Sequence, residues 1–298
     1  MKAVAFTEFG GPEVLRVLDL PEPHAGPGQV RVRVRAAGVQ PYDAAVRAGW
    51  EPPGLKLGWP RVPVNEFAGV VDEGELEAGT EVLGFTAVQA AAEYIVVPAT
   101  DVTPKPPDMP WEVAGGFTAG TQTASIALEA LNLREGETLL VHGAAGSVGT
   151  AAVQLARLQG ARVVGTASEA NQDYLREIGA IPVRYGEGVA DRVRAAAGGQ
   201  VDAVFDVAGK TPIEQLTSLV SAPSRVLSIA NFAAAQAGAR VTGGGEDSRP
   251  REALAEVAEL LAQNKLVIKV QTFPFDRAAE AYRISQNGHL RGKLVLVP

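Results

Sequence analysis

The chain has no cysteine, and its three histidines, His24, His142 and His289, stand far apart. The first absence excludes disulfides and thiol nucleophiles. Together the two leave no spacing from which an ordinary zinc site could be assembled, so no metal is expected. Apolar runs long enough to span a bilayer are also missing. The longest, Thr138 to Leu158, is broken by His142, Gln154 and several glycines. The opening MKAVAFTEFGGPE lacks the continuous apolar core of a signal peptide. Cytoplasmic residence is the resulting expectation. No large excess of basic residues is present either, with 27 Lys and Arg against 34 Asp and Glu. A net charge of -7 with scattered Lys and Arg argues against nucleic acid or a membrane as partner and leaves a small molecule.

What is present is an ordinary globular composition, 298 residues of which 46% are hydrophobic and 20% charged, enough for two packed domains. From Met1 to about Pro98, short apolar or alternating runs are separated by Gly and Pro, the pattern of an irregular antiparallel β domain. Within it the alternation from Val30 to Arg35 predicts a strand that sends Arg31, Arg33 and Arg35 to a solvated face. Asp43 and Arg47, four apart on a predicted helix, are placed to pair. From about Trp111 the period changes. A helix over 112–131 is followed by strands at 139–141, 162–166, 181–184, 203–207 and 224–229, alternating with helices. That alternation implies βαβ units and a parallel sheet. A further helix over 251–264 precedes strand-like runs at 267–273 and 293–297 around a helix at 276–286.

The most informative stretch is TLLVHGAAGSVGTAAVQLARL, Thr138 to Leu158. Leu139 to Val141 read as a buried strand, and Val148, Ala152, Leu155 and Ala156 recur at helical spacing. Between them Ala144, Gly146 and Gly149 occupy the glycine places of G-x-G-x-x-G, with alanine in the first. The second glycine lets backbone approach a pyrophosphate, and the third lets the helix pack on the strand. Amides around Ser147 and Val148 would then face the anion at the helix N-terminus.

Several separated segments carry a resemblance. MKAVAFTEFGGPEVL, AAGVQPYDAAVRAG, AEYIVVPA, GETLLVHGAAGSVGTAAVQLA, VDAVFDVAG and GHLRGKLVL stand in the order found in zinc-independent medium-chain dehydrogenases/reductases. By them the chain resembles the quinone oxidoreductase (zeta-crystallin-like) branch over nearly its whole length. The resemblance implies an α/β protein, a Rossmann doubly wound parallel sheet domain plus a GroES-like, mainly-β catalytic domain. Residues 1–115 and 265–298 would form the GroES-like part and 116–264 the dinucleotide-binding part, with the active site in the cleft between them. It also suggests a homodimer through the edge of the nucleotide-binding sheet. Two departures bear on substrate: Gln40 replaces the usual Asn, and Asn65-Glu66 stands where a glycine-acid pair is common.

An NAD site usually ends its second strand with an acid that accepts from the ribose hydroxyls. Here that place is Ala167-Ser168, so NADPH is the expected cofactor, with Ser168 and Asn171 as small donors. Glu169 one residue further on keeps NAD open, and Arg184 or Arg162 are the cations that could answer a 2′-phosphate. By resemblance Tyr185 touches the adenosine end, Thr123 lies near the nicotinamide, and Val207 and Ala208 line the cofactor. Ile229 and Asn231 follow the next strand, where strand ends meet ligand. Lys293, in RGK, is a further cofactor-contact candidate.

A nicotinamide transfers hydride, and without a metal a double bond already activated by conjugation is the suitable acceptor. A quinone or other α,β-unsaturated carbonyl fits. Gln40 is the candidate for a substrate oxygen, Tyr42 for a proton donor or a packing residue, and Trp50 for the pocket wall. The alternatives are an enoyl reductase for a thioester or polyketide intermediate, and a nucleotide-binding protein without turnover.

Overall fold

The computed structural model describes every residue except 52, 53, 243–250 and 289, so His289 lies outside the described residues. The chain divides into two compact units, Met1–Ala119 with Leu254–Pro298, and Gly120–Ala253. From Leu254 onward the helix expected at the end of the nucleotide-binding part belongs to the first unit.

In chain order the first unit contributes strands β1 (Lys2–Ala5), β2 (Arg16–Asp19), β3 (Gln29–Gly38), β4 (Glu66–Gly74), β5 (Glu81–Phe85), β6 (Tyr94–Pro98) and β7 (Val102–Pro104). Helix α1 (Pro41–Arg47) follows β3 and α2 (Trp111–Gly115) follows β7, while α3 (Thr118–Leu131) belongs to the second unit from Gly120 onward. The second unit contains β8 (Thr138–His142), α4 (Ser147–Leu158), β9 (Arg162–Ala167), α5 (Gln172–Glu177), β10 (Ile181–Arg184) and α6 (Val189–Ala197). It continues with β11 (Ala203–Asp206), α7 (Ile213–Thr217), β12 (Val226–Ser228) and β13 (Arg240–Val241). After α8 (Arg251–Ala262), the strand β14 (Val270–Pro274), helix α9 (Ala278–Asn287) and strand β15 (Lys293–Val297) return to the first unit.

The first unit is a mainly-β body. Its seven-stranded sheet runs β14-β15-β3-β4-β5-β7, with β6 also pairing β3, and β1 and β2 form a separate hairpin. Strand β3 alternates as its sequence requires: Val30, Val32 and Val34 are buried, Arg31 is half-buried, and Arg33 and Arg35 are exposed. Burying each valine contributes about 1.5–3 kcal/mol. A one-residue slip would reverse all six side chains, which pins the register. Arg31 also bonds Asp72 at 2.9 Å.

Two local expectations change. The single helix over 112–131 is two helices: the backbone leaves helical geometry at Gly116 (φ −112°, ψ 8°), and Gly115 and Gly116 let the chain pass close to the sheet. A Cβ on Gly115 would stand 2.5 Å from Ala36 Cβ, and one on Gly116 2.7 Å from Val295 Cγ2. The Asp43–Arg47 pair does not form either. Both residues are buried; Asp43 accepts from Tyr282 Oη at 2.8 Å, while Arg47 Nε donates to Gly10 O and its guanidinium lies over the Tyr282 ring. Tertiary partners unavailable to an isolated helix outbid the local one.

In the second unit all six strands are parallel, in the order β10-β9-β8-β11-β12-β13. Numbered from β8 this is the doubly wound 3-2-1-4-5-6 order, whose direction reverses between β8 and β11. Ligands of such sheets bind outside the carboxyl ends of the strands at that reversal. Among the described residues no helix is long and apolar enough to cross a membrane.

Candidate functional site

The turn after β8 is built by backbone. Gly143 carries φ +96°, so the tight bend falls on it and not on Ala144, which is fully buried with its methyl toward Gly165. Gly143 N–H donates to Thr166 Oγ1 at 3.0 Å, and Ala144 N–H to Thr166 O at 2.8 Å. The two remaining glycines differ. A Cβ on Gly149 would lie 2.4 Å from Gly143 O, so this glycine lets α4 press on the turn. A Cβ on Gly146 would meet nothing within 4 Å, leaving open space in front of the turn. Among the described residues no side chain caps the start of α4, so its first-turn amides stay available to an anion. Gly120 of α3 lets Ser147 approach: a Cβ there would stand 2.2 Å from Ser147 Oγ.

The other candidates of this unit gather along the same sheet edge. Ser168 follows the last residue of β9, and Tyr185, 41% exposed, is tied beside it by Tyr185 N–H to Ala167 O at 3.3 Å. Val207 N–H bonds His142 O at 3.0 Å, placing Val207 and Ala208 against Gly143. Ile229 N–H bonds Asp206 O, and Asn231 N–H bonds Ser228 Oγ. Thr123 lies one turn along α3 from Gly120. Asn171 is only 4% exposed and engaged inside the protein, so it offers no surface donor. Of the cations, Arg184 ends β10 in register with Ala167, at the correct edge. Arg162 starts β9 at the opposite end and is spent on Ala196 and Ala197 carbonyls. Arg192 donates to the carbonyls of Arg184, Tyr185, Gly186 and Glu187 and so braces that loop.

Sequence reasoning missed the layer beneath. Thr166, His142, Asp206 and Ser228 are register partners across β9, β8, β11 and β12, and all are buried. Thr166 Oγ1 and Thr211 Oγ1 each sit 2.8 Å from a His142 ring nitrogen. Asp206 Oδ1 accepts from Ala208 and Gly209 N–H, and its Oδ2 from Ser228 Oγ at 2.8 Å. This polar row fixes the loop after each strand. The available signal was a polar residue closing each apolar run. Burial holds the His142 imidazole below its ordinary range against the pull of Asp206.

A dinucleotide fits these residues on two observations: Ser147 Oγ and Ser168 Oγ are buried without a partner among the described residues, and Gly146 faces open space. A buried hydroxyl left unpaired is costly unless a ligand completes it.

The substrate candidates lie in the first unit. Gln40 precedes α1 and is half-buried; its backbone N–H donates to Asp43 Oδ2 at 2.8 Å and its Nε2 to Glu66 Oε1 at 2.7 Å. The Tyr42 and Trp50 rings meet edge to face at 5.4 Å, with Trp50 46% exposed. Asn65 Oδ1 is buried without a partner among the described residues. Lys293 is 2% exposed and its ammonium lies 2.5 Å from Glu66 Oε1, so the structure gives it a carboxylate partner in its own unit. Asp43 is fully buried, which pushes its carboxyl up to about 6 despite hydrogen bonds from Gln40 N–H, Val64 N–H and Tyr282.

Comparison with known proteins agrees with this architecture. Residues 26–107 match the alcohol dehydrogenase GroES-like domain, and residues 178–296 a family described as zinc-binding dehydrogenase. Despite that description, no group of three or more His, Cys, Asp or Glu among the described residues could hold a metal ion. The quinone oxidoreductase of Rattus norvegicus is 28% identical over 100% of this chain and 98% of its own. The crystal structure of a probable oxidoreductase from Mycobacterium abscessus superposes with a TM-score of 0.87 at 32% identity, covering 100% of this chain and 99% of that one. The spectinabilin polyketide synthase system protein NorB of Streptomyces orinoci is 33% identical over 91% of this chain, which spans 13% of that much longer protein. Fold and site thus define a dehydrogenase class with a GroES-like body and a Rossmann-type sheet. Within that class, the chain belongs to the quinone oxidoreductase branch of the medium-chain dehydrogenase/reductase superfamily.

Proposed function

We propose that the protein is an NADPH-dependent, zinc-independent oxidoreductase that reduces a quinone or another α,β-unsaturated carbonyl. The observation that carries this reading is the nucleotide crevice, with its open Gly146, uncapped α4 and unpartnered Ser147 and Ser168 hydroxyls. NADPH, when bound, supplies the hydride. The amides of Gly146, Ser147 and Val148 hold the diphosphate. Ser168 stands where an acid would repel a 2′-phosphate, and Arg184 supplies the charge to answer it. Tyr185 flanks the adenosine end, and Thr123, Val207, Ala208, Ile229 and Asn231 border the rest of the cofactor. In the first unit Gln40 offers an amide to the acceptor's carbonyl oxygen, and Trp50 with Tyr42 forms an apolar wall that keeps water from it. Tyr42 Oη or water returns the proton.

Similarity to the polyketide synthase protein favours one second reading, reduction of an enoyl thioester. The test is to mix purified protein with NADPH or NADH and a panel of quinones, enones and enoyl thioesters while cofactor oxidation is followed. NADPH oxidation with quinones or enones supports the proposal, and a preference for thioesters moves it to the second reading. Binding of NADPH without turnover of any acceptor overturns both and leaves a nucleotide-binding protein.

A further inference from the structure

We propose that the buried Glu66–Lys293 pair is a positioning device for Gln40, setting the amide that receives the substrate oxygen. The inference rests on the reading of Gln40 as a substrate contact. Glu66 opens β4 and Lys293 opens β15; they are 0% and 2% exposed and meet at 2.5 Å. Buried ion pairs contribute little net stability, since well-packed apolar residues in their place commonly serve as well or better. Yet the backbone is shaped around this one. A Cβ on Gly38 would stand 2.2 Å from Glu66 Oε1 and 2.8 Å from Lys293 Cε, and one on Gly116 would stand 2.9 Å from Lys293 Cγ.

The remaining acceptor capacity of the carboxylate shows what the pair holds. Glu66 Oε2 accepts from Ala119 N–H at 2.6 Å, anchoring the carboxylate to backbone. Glu66 Oε1 accepts from Gln40 Nε2 at 2.7 Å. Of the three side chains in this set only Gln40 reaches solvent. A carboxylate accepts and does not donate, so it can face only the NH2 end of an amide. The Gln40 side chain therefore has one permitted orientation, with its second N–H left for another acceptor. At the other end of the same residue Asp43 holds the backbone N–H. Lys293 acts through Glu66, by holding the carboxylate in place without touching substrate.

The experiment is a double-mutant cycle on acceptor turnover. Glu66→Met/Lys293→Met removes the pair without leaving a buried charge, Gln40→Leu removes the amide, and Glu66→Gln/Lys293→Met restores an acceptor for Gln40. NADPH affinity by calorimetry and melting temperature are read beside the rates. The expected result is a fall of about ten- to a hundredfold in kcat/KM for the Met pair. The Gln/Met pair should recover most of it, and NADPH affinity should not move. In the Gln40→Leu background removing the pair should change the rate by less than about twofold, because the two acts share one route. Equal losses with and without Gln40 would overturn the proposal, as would wild-type turnover by the Met pair. Undiminished turnover by Gln40→Leu also overturns it, by removing Gln40 from substrate binding while the reductase reading stands. A wild-type protein that oxidises no NADPH removes the reductase reading itself.

Discussion

Gly146 and Gly149 stand three residues apart in one turn, and alanine at each should separate binding from folding. At Gly149 the added Cβ would lie 2.4 Å from Gly143 O and 2.6 Å from Ala144 Cα, backbone atoms that cannot swing aside. Helix propensity favours alanine there by about 1 kcal/mol. Overpacking of this kind costs roughly 3 kcal/mol at its upper range, leaving a net loss near 2 kcal/mol. That lowers the melting temperature by roughly 4–8 °C. At Gly146 the backbone is extended (φ −77°, ψ 175°) and nothing lies within 4 Å of a new Cβ. Alanine fits and restricts the unfolded chain, a gain of about 0.4–1 kcal/mol. Its methyl would nevertheless occupy the space assigned to the diphosphate, at a cost of about 1–3 kcal/mol, or roughly five- to 150-fold in NADPH affinity. Scanning calorimetry gives the melting temperatures and titration calorimetry the affinities. Gly146→Ala should melt at or above wild type and bind NADPH weakly; Gly149→Ala should melt lower. Wild-type NADPH affinity in Gly146→Ala would show that the phosphates rest elsewhere and refute the reasoning.

Other expectations follow from the same geometry. Ser168→Asp should weaken NADPH by about tenfold or more relative to NADH, since it places an acid against the 2′-phosphate; competition between the two nucleotides measures it. Arg184→Ala should weaken NADPH by about 1.5–3 kcal/mol and leave NADH within about twofold, the signature of a charge-assisted bond to the phosphate. Asp43 is raised in the fold from 3.8 to about 6, so its contribution is present in full below about pH 4 and lost as pH rises through 6. The stability of wild type minus that of Asp43→Asn should therefore fall by about 3 kcal/mol across that window in urea titrations. A flat or rising difference would show that its hydrogen bonds outweigh its burial. His142 has the opposite sign, because its folded value lies below the ordinary 6.5. Its contribution is present above 6.5 and lost as pH falls, so His142→Gln should flatten the acid limb of the melting temperature against pH.

Local patterns carried much of this molecule. The strand, turn and helix from Thr138 to Leu158 are contiguous, so their apolar spacing and small residues were readable without knowledge of any partner. The alternation of Val30 to Arg35 likewise declared its two faces. The strands alternating with helices after Trp111 implied the parallel sheet, whereas the polar residue closing each apolar run was a signal left unread. Which of those residues would form one row depended on strand order, because Thr166, His142, Asp206 and Ser228 become neighbours only once β9, β8, β11 and β12 lie side by side. Lys293 illustrates the limit. The RGK motif makes it a cofactor-contact candidate but gives no sign of Glu66, on which the fold buries it. Asp43 similarly takes Tyr282, 239 residues away, over Arg47 one helical turn along. Most elements and the glycine turn were legible from the chain alone, because these arise from contacts between near neighbours in sequence. Tertiary structure alone decided the partners of each buried charge, because burial removes water as the default partner and leaves only the groups that the distant chain brings within reach.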